Sequence, residues 1–172
     1  MPFSKNIILF LFSVFSISCL AQDSDAQIHK EINQEVWKPF CESYASLDVE
    51  TYNNLHSDEV IRATPWGIRV GDEYKNHNAE RFKISKEKGT NRTIELWFEH
   101  RKSTPKVSYE VGYYKVTYKN NDSLKYSYGR FHVVLKKENG VWKIIQDWDT
   151  DKINGVEVTE KDWLKGTPLT FE

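Results

Sequence analysis

Four long β-strand patterns fill the second half of the sequence. Runs rich in Val, Ile, Tyr, Phe and Trp occupy residues 91–102, 106–119, 123–137 and 141–150. β-Branched and aromatic residues favour strands, and polar segments separate the runs. Asn139-Gly140, between the last two runs, is a strong hairpin signal. The pattern predicts an antiparallel meander of four strands.

The residues before this meander have a helical period instead. A short helix is predicted at residues 48–56 and a further helix at 72–89, and a short strand at 59–63 ends before Pro65 and Gly67. A longer amphipathic helix precedes them, because apolar residues recur there at spacings of four and three. Its stripe consists of Ile28, Ile32, Val36, Phe40, Tyr44 and Leu47.

The order of these elements predicts the fold class. Three helices and one early strand come first, and the meander follows, which is typical of an α+β fold. We expect a strongly curved antiparallel sheet that wraps the three N-terminal helices. One domain is predicted at residues 28–150, after a polar leader at 22–27. The tail at residues 151–172 has no clear period, and either packs as an arm or is loose.

The N-terminus has the features of a secretory signal peptide at residues 1–21. An early Lys5 is followed by an apolar run and by small residues that end at Ala21, where we expect cleavage. The alternative is a lipid anchor on Cys19. No long apolar stretch follows, so no membrane span is expected. The mature protein is predicted to be secreted or periplasmic.

Composition narrows the classes of function. The net charge of −1 gives no basic field for binding nucleic acid. The five histidines are scattered without the spacing of metal ligands, and no glycine-rich phosphate loop is present, so no metal or cofactor is predicted. Cys41 lies inside a helical pattern and is interpreted as a buried apolar thiol.

An even-length turn at Asn139-Gly140 determines which residues of the last hairpin share a face. This register pairs Leu135 with Ile144 and separates apolar from charged side chains. The predicted inner face contains Phe131, Val133, Leu135, Trp142, Ile144, Gln146 and Trp148. The predicted outer face contains His132, Val134, Lys136, Lys143, Ile145, Asp147 and Asp149.

Three polar groups on these faces invite a functional interpretation. Gln146 is a lone polar residue on the inner face, so it is either satisfied by the protein or points into a cavity. His132 and Asp147 lie opposite each other on the outer face, where they form either a cross-strand pair or a catalytic pair.

The second strand of the meander is expected to bury its odd-numbered residues. These are Val107, Tyr109, Val111 and Tyr113. Glu110 then faces either solvent or a pocket. Gly112 and Gly129 are candidate β-bulges that would change the facing partway along the strands.

The segments LDVETYNNLHSDEVIRATPWG and GRFHVVLKKENGVWKIIQDW resemble the nuclear-transport-factor-2-like (NTF2-like) superfamily. Within it they are most similar to the SnoaL-like and ketosteroid-isomerase-like proteins. The resemblance covers nearly all of residues 28–150. It implies a cone, also called cystatin-like, with a pocket at the open end of a curved sheet. Members include isomerases, cyclases, dehydratases and epoxide hydrolases, and others only bind or dimerise, so the resemblance leaves function open.

The residues of the isomerase members are not reproduced in this sequence. The resemblance places Thr64 where those enzymes have their carboxylate base, and a hydroxyl is far too weak a base for that role. It places Phe40 at the position of the oxyanion tyrosine, and Phe131 or His132 near the second oxyanion acid. Isomerase chemistry by that mechanism is therefore not expected.

The resemblance implies a pocket for a small, largely apolar ligand. Its expected lining is Tyr44, Arg62, Thr64, Trp66, Gln146 and Trp148. A SnoaL-like enzyme acting on a ring-containing substrate is the first alternative, with Glu110, His132, Asp147 or Arg62 as acid–base candidates. A protein-interaction module with a filled cone is the second. A homodimer is expected to form through the outer sheet face.

Overall fold

The structure, a computed structural model, describes residues 25–120 and 123–171. The predicted signal peptide, its cleavage site at Ala21 and the lipidation candidate Cys19 lie outside the described residues. Within that part of the chain, no helix is both long and apolar enough to cross a membrane.

Three helices and two strands precede the meander, and the sequence predicts the helices and the first of these strands. The first helix, α1, covers residues 25–46 of the described chain and includes one π-helical turn at Asn33–Trp37. The second, α2, is Val49–Asn54, and the Asp48 side chain caps it by accepting a hydrogen bond from the Thr51 N–H at 3.2 Å. The third helix, α3, is Gly71–Glu87.

A seven-stranded sheet wraps these helices. The strands are β1 His56–Thr64, β2 Gly67–Val70, β3 Asn91–Ser103, β4 Val107–Asn120, β5 Ser123–Glu138, β6 Val141–Thr150 and β9 Thr167–Pro168. Their spatial order is β2-β1-β6-β5-β4-β3-β9, and all neighbours are antiparallel except β1 and β6, which run parallel. Strand β2 is absent from the sequence prediction, because its four residues directly follow the turn and are too few to show a period.

The apolar stripe of α1 packs against the inner face of the sheet. Ile32, Val36 and Phe40 are buried, and so is Trp37 beside them. The Trp37 ring meets Phe40 edge-on with centroids 5.6 Å apart, and it lies 6.1 Å from the ring of Phe131 on β5. Such tilted and edge-on pairs are the favoured geometries of aromatic contacts. The predicted α+β fold, a curved and mainly antiparallel sheet around three helices, is confirmed.

The last hairpin follows the predicted register only near its turn. Leu135 lies opposite Ile144 as predicted, but the next pair is Val134 with Gln146. Ile145 is therefore an extra residue on β6, a β-bulge.

This bulge reverses the facing of the rest of β6, because side chains alternate along a strand. Asp147 and Asp149 turn into the interior, where both line a cavity. Gln146 is exposed, and Trp148 lies on the outer face beside His132. The predicted inward facing of Gln146 and Trp148 is wrong, and so is the outward facing of the two aspartates.

The side chains of strand β4 also point in the opposite direction from the one predicted. Its even-numbered residues point inward, and the odd-numbered Val107 and Tyr109 are exposed. Val111 and Tyr113 are buried, but they share the face of Tyr109 and not the face that meets the helices. The β4–β5 pairing runs without a break through Gly112 and Gly129, so neither glycine is a bulge.

Gly112 is required for a different reason, the close approach of β3. A Cβ atom at this position would lie 2.2 Å from the carbonyl oxygen of Trp97 and 2.8 Å from the Phe131 ring. The irregularity in this part of the sheet lies on β3, between Phe98 and His100.

Glu110 is fully buried on the inner face of β4, with none of its surface exposed. Its carboxylate accepts hydrogen bonds from Trp37 Nε1 at 2.7 Å, from Arg101 Nη2 at 3.0 Å and from Ser108 Oγ at 2.9 Å. These donors compensate for the loss of water, which is the condition for burying a charge. Glu110 therefore ties β4 to α1 and to β3.

The C-terminal tail packs on the sheet. Lys152–Ile153 (β7) and Val156–Glu157 (β8) form a small hairpin, and Glu160–Trp163 form the short helix α4. Trp163 is buried, with its ring centroid 4.2 Å from that of Trp97. Strand β9 then pairs with the outer edge of β3. The tail thus covers one edge of the sheet and the outer face beside it.

The Glu110 contacts lead to a stability prediction. Glu110→Ala should lower the free energy of unfolding by about 3–5 kcal/mol, because it leaves the half-buried Arg101 cation and the buried Trp37 N–H without their partner. Glu110→Gln retains a hydrogen-bond acceptor and should lower the free energy of unfolding by a smaller amount. Urea unfolding followed by tryptophan fluorescence measures both. Glu95→Ala, which removes a partly exposed partner of Lys115, is the control and should cost at most about 1 kcal/mol. An equal loss in the control would contradict the role given to Glu110.

Candidate functional site

A cavity of about 400 Å³ lies between the helices and the inner face of the sheet. This volume is within the range of small-molecule sites, which are mostly apolar with a few polar groups. The buried part of its wall is largely aromatic and includes Trp37, Phe40, Tyr52, Tyr74, Phe82 and Phe131. α1, α2, α3 and β5 supply these rings, so the cavity is a consequence of the cone itself.

The turn between β1 and β2 lies at the open end of this cavity. Trp66 lines the cavity and is 77% exposed. The Thr64 hydroxyl accepts a hydrogen bond from the Trp66 N–H at 3.2 Å and donates one to the Gly67 carbonyl at 3.3 Å. Thr64 therefore stabilises the turn, and Trp66 forms a wall at the entrance.

A charged group of three side chains, the Arg62 cluster, forms the polar part of the wall. It consists of Arg62, Asp147 and Asp149, and all three line the cavity. Arg62 Nη1 donates to Asp147 Oδ1 at 3.2 Å, and Arg62 Nη2 donates to Asp149 Oδ2 at 2.6 Å. The parallel pairing places Arg62 opposite Asp147, and the bulge at Ile145 brings both carboxylates to the inner face.

The charges in the Arg62 cluster do not balance, because two carboxylates share one guanidinium. Burial raises the pKa of Asp147, and Arg62 opposes that rise. Burial also raises the pKa of Asp149, with the charge of Asp147 adding to the rise and Arg62 opposing it. Carboxyl groups with raised pKa values hold their proton to a higher pH than isolated aspartates.

Two buried tyrosines extend the polar wall. Tyr52 and Tyr74 both line the cavity, and burial raises the pKa of both. Each hydroxyl is therefore protonated at neutral pH. Asn78, one turn after Tyr74 on α3, also lines the cavity and donates to Asn53 Oδ1 at 3.0 Å.

Four of the six predicted pocket residues line the cavity. They are Tyr44, Arg62, Thr64 and Trp66. Gln146 and Trp148 do not, because the bulge turns them to the outer face.

The three catalytic candidates lie in three different environments. Asp147 lines the cavity, whereas Glu110 is occupied by its partners under α1. His132 is on the outer face, where its Nδ1 lies 2.6 Å from the Tyr109 hydroxyl. The predicted His132–Asp147 pair does not form, since His132 lies opposite Trp148.

Some cavity residues are absent from the sequence prediction. The sequence prediction places Asp149 on the outer face because it does not include the bulge at Ile145. Tyr74, Asn78 and Phe82 recur at a spacing of four on α3, and this period is a signal that could identify the inner face of a helix otherwise rich in polar residues. Among the described residues, no group of three His, Cys, Asp or Glu side chains is arranged to hold a metal ion.

The structure also shows where the residues at the positions of the isomerase catalytic groups lie. Thr64 is in the turn at the entrance, and Phe40 and Phe131 are apolar parts of the cavity wall. His132 is on the opposite face of the sheet. The carboxylates of this cavity, Asp147 and Asp149, come from β6.

No protein-family model matches the sequence, and a comparison with curated proteins gives no match. Solved structures do resemble it. An NTF2-like protein of unknown function from Shewanella oneidensis is 17% identical, with a TM-score of 0.54 over 75% of this chain and 99% of that one. A proposed dehydratase of the NTF2-like family from Streptomyces avermitilis is 14% identical, with a TM-score of 0.57 over 77% and 99%.

A third structure, a protein of unknown function with a cystatin-like fold from Nostoc punctiforme, is 19% identical. Its TM-score is 0.51 over 68% of this chain and 86% of that one. Together with the cone around the cavity, these likenesses show that the chain has the NTF2-like, cystatin-like fold. Proteins of one fold differ in activity, so function has to be argued from the cavity.

The Arg62 cluster predicts a pH-dependent loss of stability when its cation is removed. Arg62→Met leaves the buried Asp147 and the half-buried Asp149 without their cation and should cost about 3–5 kcal/mol at pH 7.5. Carboxyl groups whose pKa is raised in the folded state make folding less favourable as the pH rises through that window. The loss should therefore be smaller at pH 5 than at pH 7.5, measured by urea unfolding at both.

The matched control for this experiment carries Asn in place of both aspartates. In that background Arg62→Met should cost much less and should lose most of its pH dependence. A loss that is equal at both pH values, or unchanged in the control background, would contradict a compensating role for Arg62.

Proposed function

We propose that this chain binds a small, largely apolar ligand in the cavity of its cone. The observation that carries the proposal is a cavity of about 400 Å³ with a mainly aromatic wall and one charged cluster. Ligand sites combine an apolar lining with a few polar groups that fix orientation. The aromatic rings contact the body of the ligand, and the Arg62 cluster contacts a polar group on it. Because the interior of the cone contains this cavity, a protein-interaction module with a filled cone is disfavoured.

A thermal-shift screen of the mature domain tests this proposal. The panel contains sterol-like, polyketide-like and fatty ligands. A ligand at 100 times its dissociation constant adds about 2.7 kcal/mol, which is roughly 5–10 °C for a domain of this size. Trp66→Ala removes the exposed wall of the entrance and should weaken binding about tenfold.

Trp148→Ala is the matched control, because it removes an equal ring from the outer face. It should leave ligand binding unchanged. If both variants bind a hit from the panel as tightly as the unmodified protein, the ligand does not enter at Trp66. If no ligand of the panel raises the melting temperature, a protein-interaction module becomes the favoured function.

An enzyme is the second candidate, and the raised pKa values of Asp147 and Asp149 favour it. Perturbed carboxyl groups that line a cavity are characteristic of acid–base sites. One carboxyl donates a proton to a ring-containing substrate, and the ionised carboxylate accepts another, as a dehydratase or isomerase requires. The proposed dehydratase from Streptomyces avermitilis shares the fold. Asp149→Asn should then abolish turnover of a hit while binding survives.

The outer face of the sheet is our proposed dimer interface. Ile61, Gln146, Val134 and Tyr109 are successive neighbours across β1, β6, β5 and β4. Ile61 is 45% exposed and Tyr109 is 44% exposed, so apolar surface here is available to a second copy. We call these four residues the outer patch. Trp148 lies beside the outer patch, in the adjacent row of paired residues on the same face. The predicted signal peptide supports a location outside the cytoplasm.

The dimer proposal predicts the effect of a charge in the outer patch. Ile61→Asp should convert the protein to a monomer without unfolding it, because Ile61 faces away from the core. Light scattering after size-exclusion chromatography measures the mass, and circular dichroism checks the fold. Val156→Asp, at an exposed position in the tail, is the control and should leave the mass unchanged. A monomeric unmodified protein would refute this interface.

A further inference from the structure

Three basic side chains surround the same side of the cavity. Arg69 comes from β2, and His77 and Arg81 come from α3, where they are four residues apart and share a helix face. All three line the cavity. The pKa of His77 is lowered by burial and then by the charges of Arg69 and Arg81, which fits a position between the two guanidinium groups.

Within the described part of the chain these arginines have no close acidic partner, although the charge of Arg81 also reaches Asp149 and opposes the rise that burial causes in the pKa of that carboxyl. Arg81 is exposed and has no ion pair among the described residues. Arg69 has one contact, at 3.9 Å, to the 69%-exposed carboxylate of Glu73. Such an exposed and distant pair contributes little. By comparison, Arg62, Arg101 and Arg130 each have an acidic partner within 3.2 Å.

The cavity wall therefore differs in sign from the whole chain. Its charged residues are three arginines and two aspartates, with His77 neutral, so the wall carries a net positive charge. The full sequence carries a net charge of −1. A concave site with low-dielectric walls concentrates such a field and attracts ligands of opposite charge.

The two ends of the polar wall would receive different groups. The Arg62 cluster holds two carboxylates, so it disfavours a second anion and favours a hydroxyl or another neutral hydrogen-bonding group. The rim at Arg69 and Arg81 favours an anion. Guanidinium groups bind carboxylates through paired, charge-assisted hydrogen bonds.

We propose that the ligand is an amphipathic organic acid whose ring-containing body fills the aromatic cavity and whose carboxylate binds Arg81 and Arg69 at the rim. The inference rests on the proposed function, since it names the ligand class of the same cavity. Trp66 at the entrance covers the apolar body next to the carboxylate.

Isothermal titration calorimetry with a matched pair of probes tests the inference. The probes are 2-naphthoate, which has the carboxylate, and 2-naphthamide, its neutral analogue. At pH 7.5 and low salt the unmodified protein should bind 2-naphthoate at least about tenfold more tightly, the equivalent of about 1.4 kcal/mol. Because the rim is exposed, this preference should shrink in 0.5 M NaCl.

The variant Arg81→Gln should weaken 2-naphthoate binding about tenfold and leave 2-naphthamide binding unchanged. Lys83→Gln is the control, because it removes the same charge from the exposed surface of α3 at a position outside the cavity wall. It should change the binding of neither probe.

Failure of this inference can be distinguished from failure of the proposed function. Equal binding of the two probes, or equal effects of Arg81→Gln and Lys83→Gln, would overturn the organic-acid inference while the cavity would still be a ligand site. The same conclusion follows if neither probe binds but a neutral ligand of the screening panel does. If no probe and no panel ligand binds, both proposals fail together.

Discussion

The salt bridges from Arg62 to the two aspartates of β6 are the interaction on which the cavity depends. They join the first strand of the chain to the last strand of the meander, 85 residues later for the Arg62–Asp147 pair. They also fix the facing of the end of β6, because a shift by one residue would bury Gln146 and Trp148 instead. A buried pair of carboxylates is tolerated here because a cation lies between them.

Much of the architecture can be predicted from the sequence, because it depends on local periods. The helical stripe of α1 and the four runs of the meander are long patterns with one dominant face. Glu110 and the end of β6 could not be predicted in the same way. The partner of Glu110 on α1, Trp37, is 73 residues away, and the partner of Asp147 is on β1. A single extra residue, Ile145, then reverses every side chain after it.

Part of the candidate site could also be predicted from the sequence, and the remainder depends on contacts between residues that are distant in the sequence. Tyr44 belongs to the apolar stripe of α1, and the family resemblance places Arg62 at the rim of the pocket; both line the cavity. Asp149 depends on a bulge whose stabilising contact is non-local. Arg69 and Arg81 look like ordinary surface charges in the sequence, and their shared location becomes evident only when β2 and α3 are placed together at the entrance.

The strand order also has a consequence for how the chain folds as it is made. β1 is synthesised early, but one of its two neighbours is β6, the last strand of the meander. At a synthesis rate of 5–20 residues per second, roughly 4–17 s pass between Arg62 and Asp147. The outer edge of strand β3 is completed last of all, because β9 at Thr167–Pro168, which covers it, is the last strand to be synthesised. Until then the unpaired backbone groups of this edge can pair with other chains, so the edge of β3 is an aggregation hazard during synthesis.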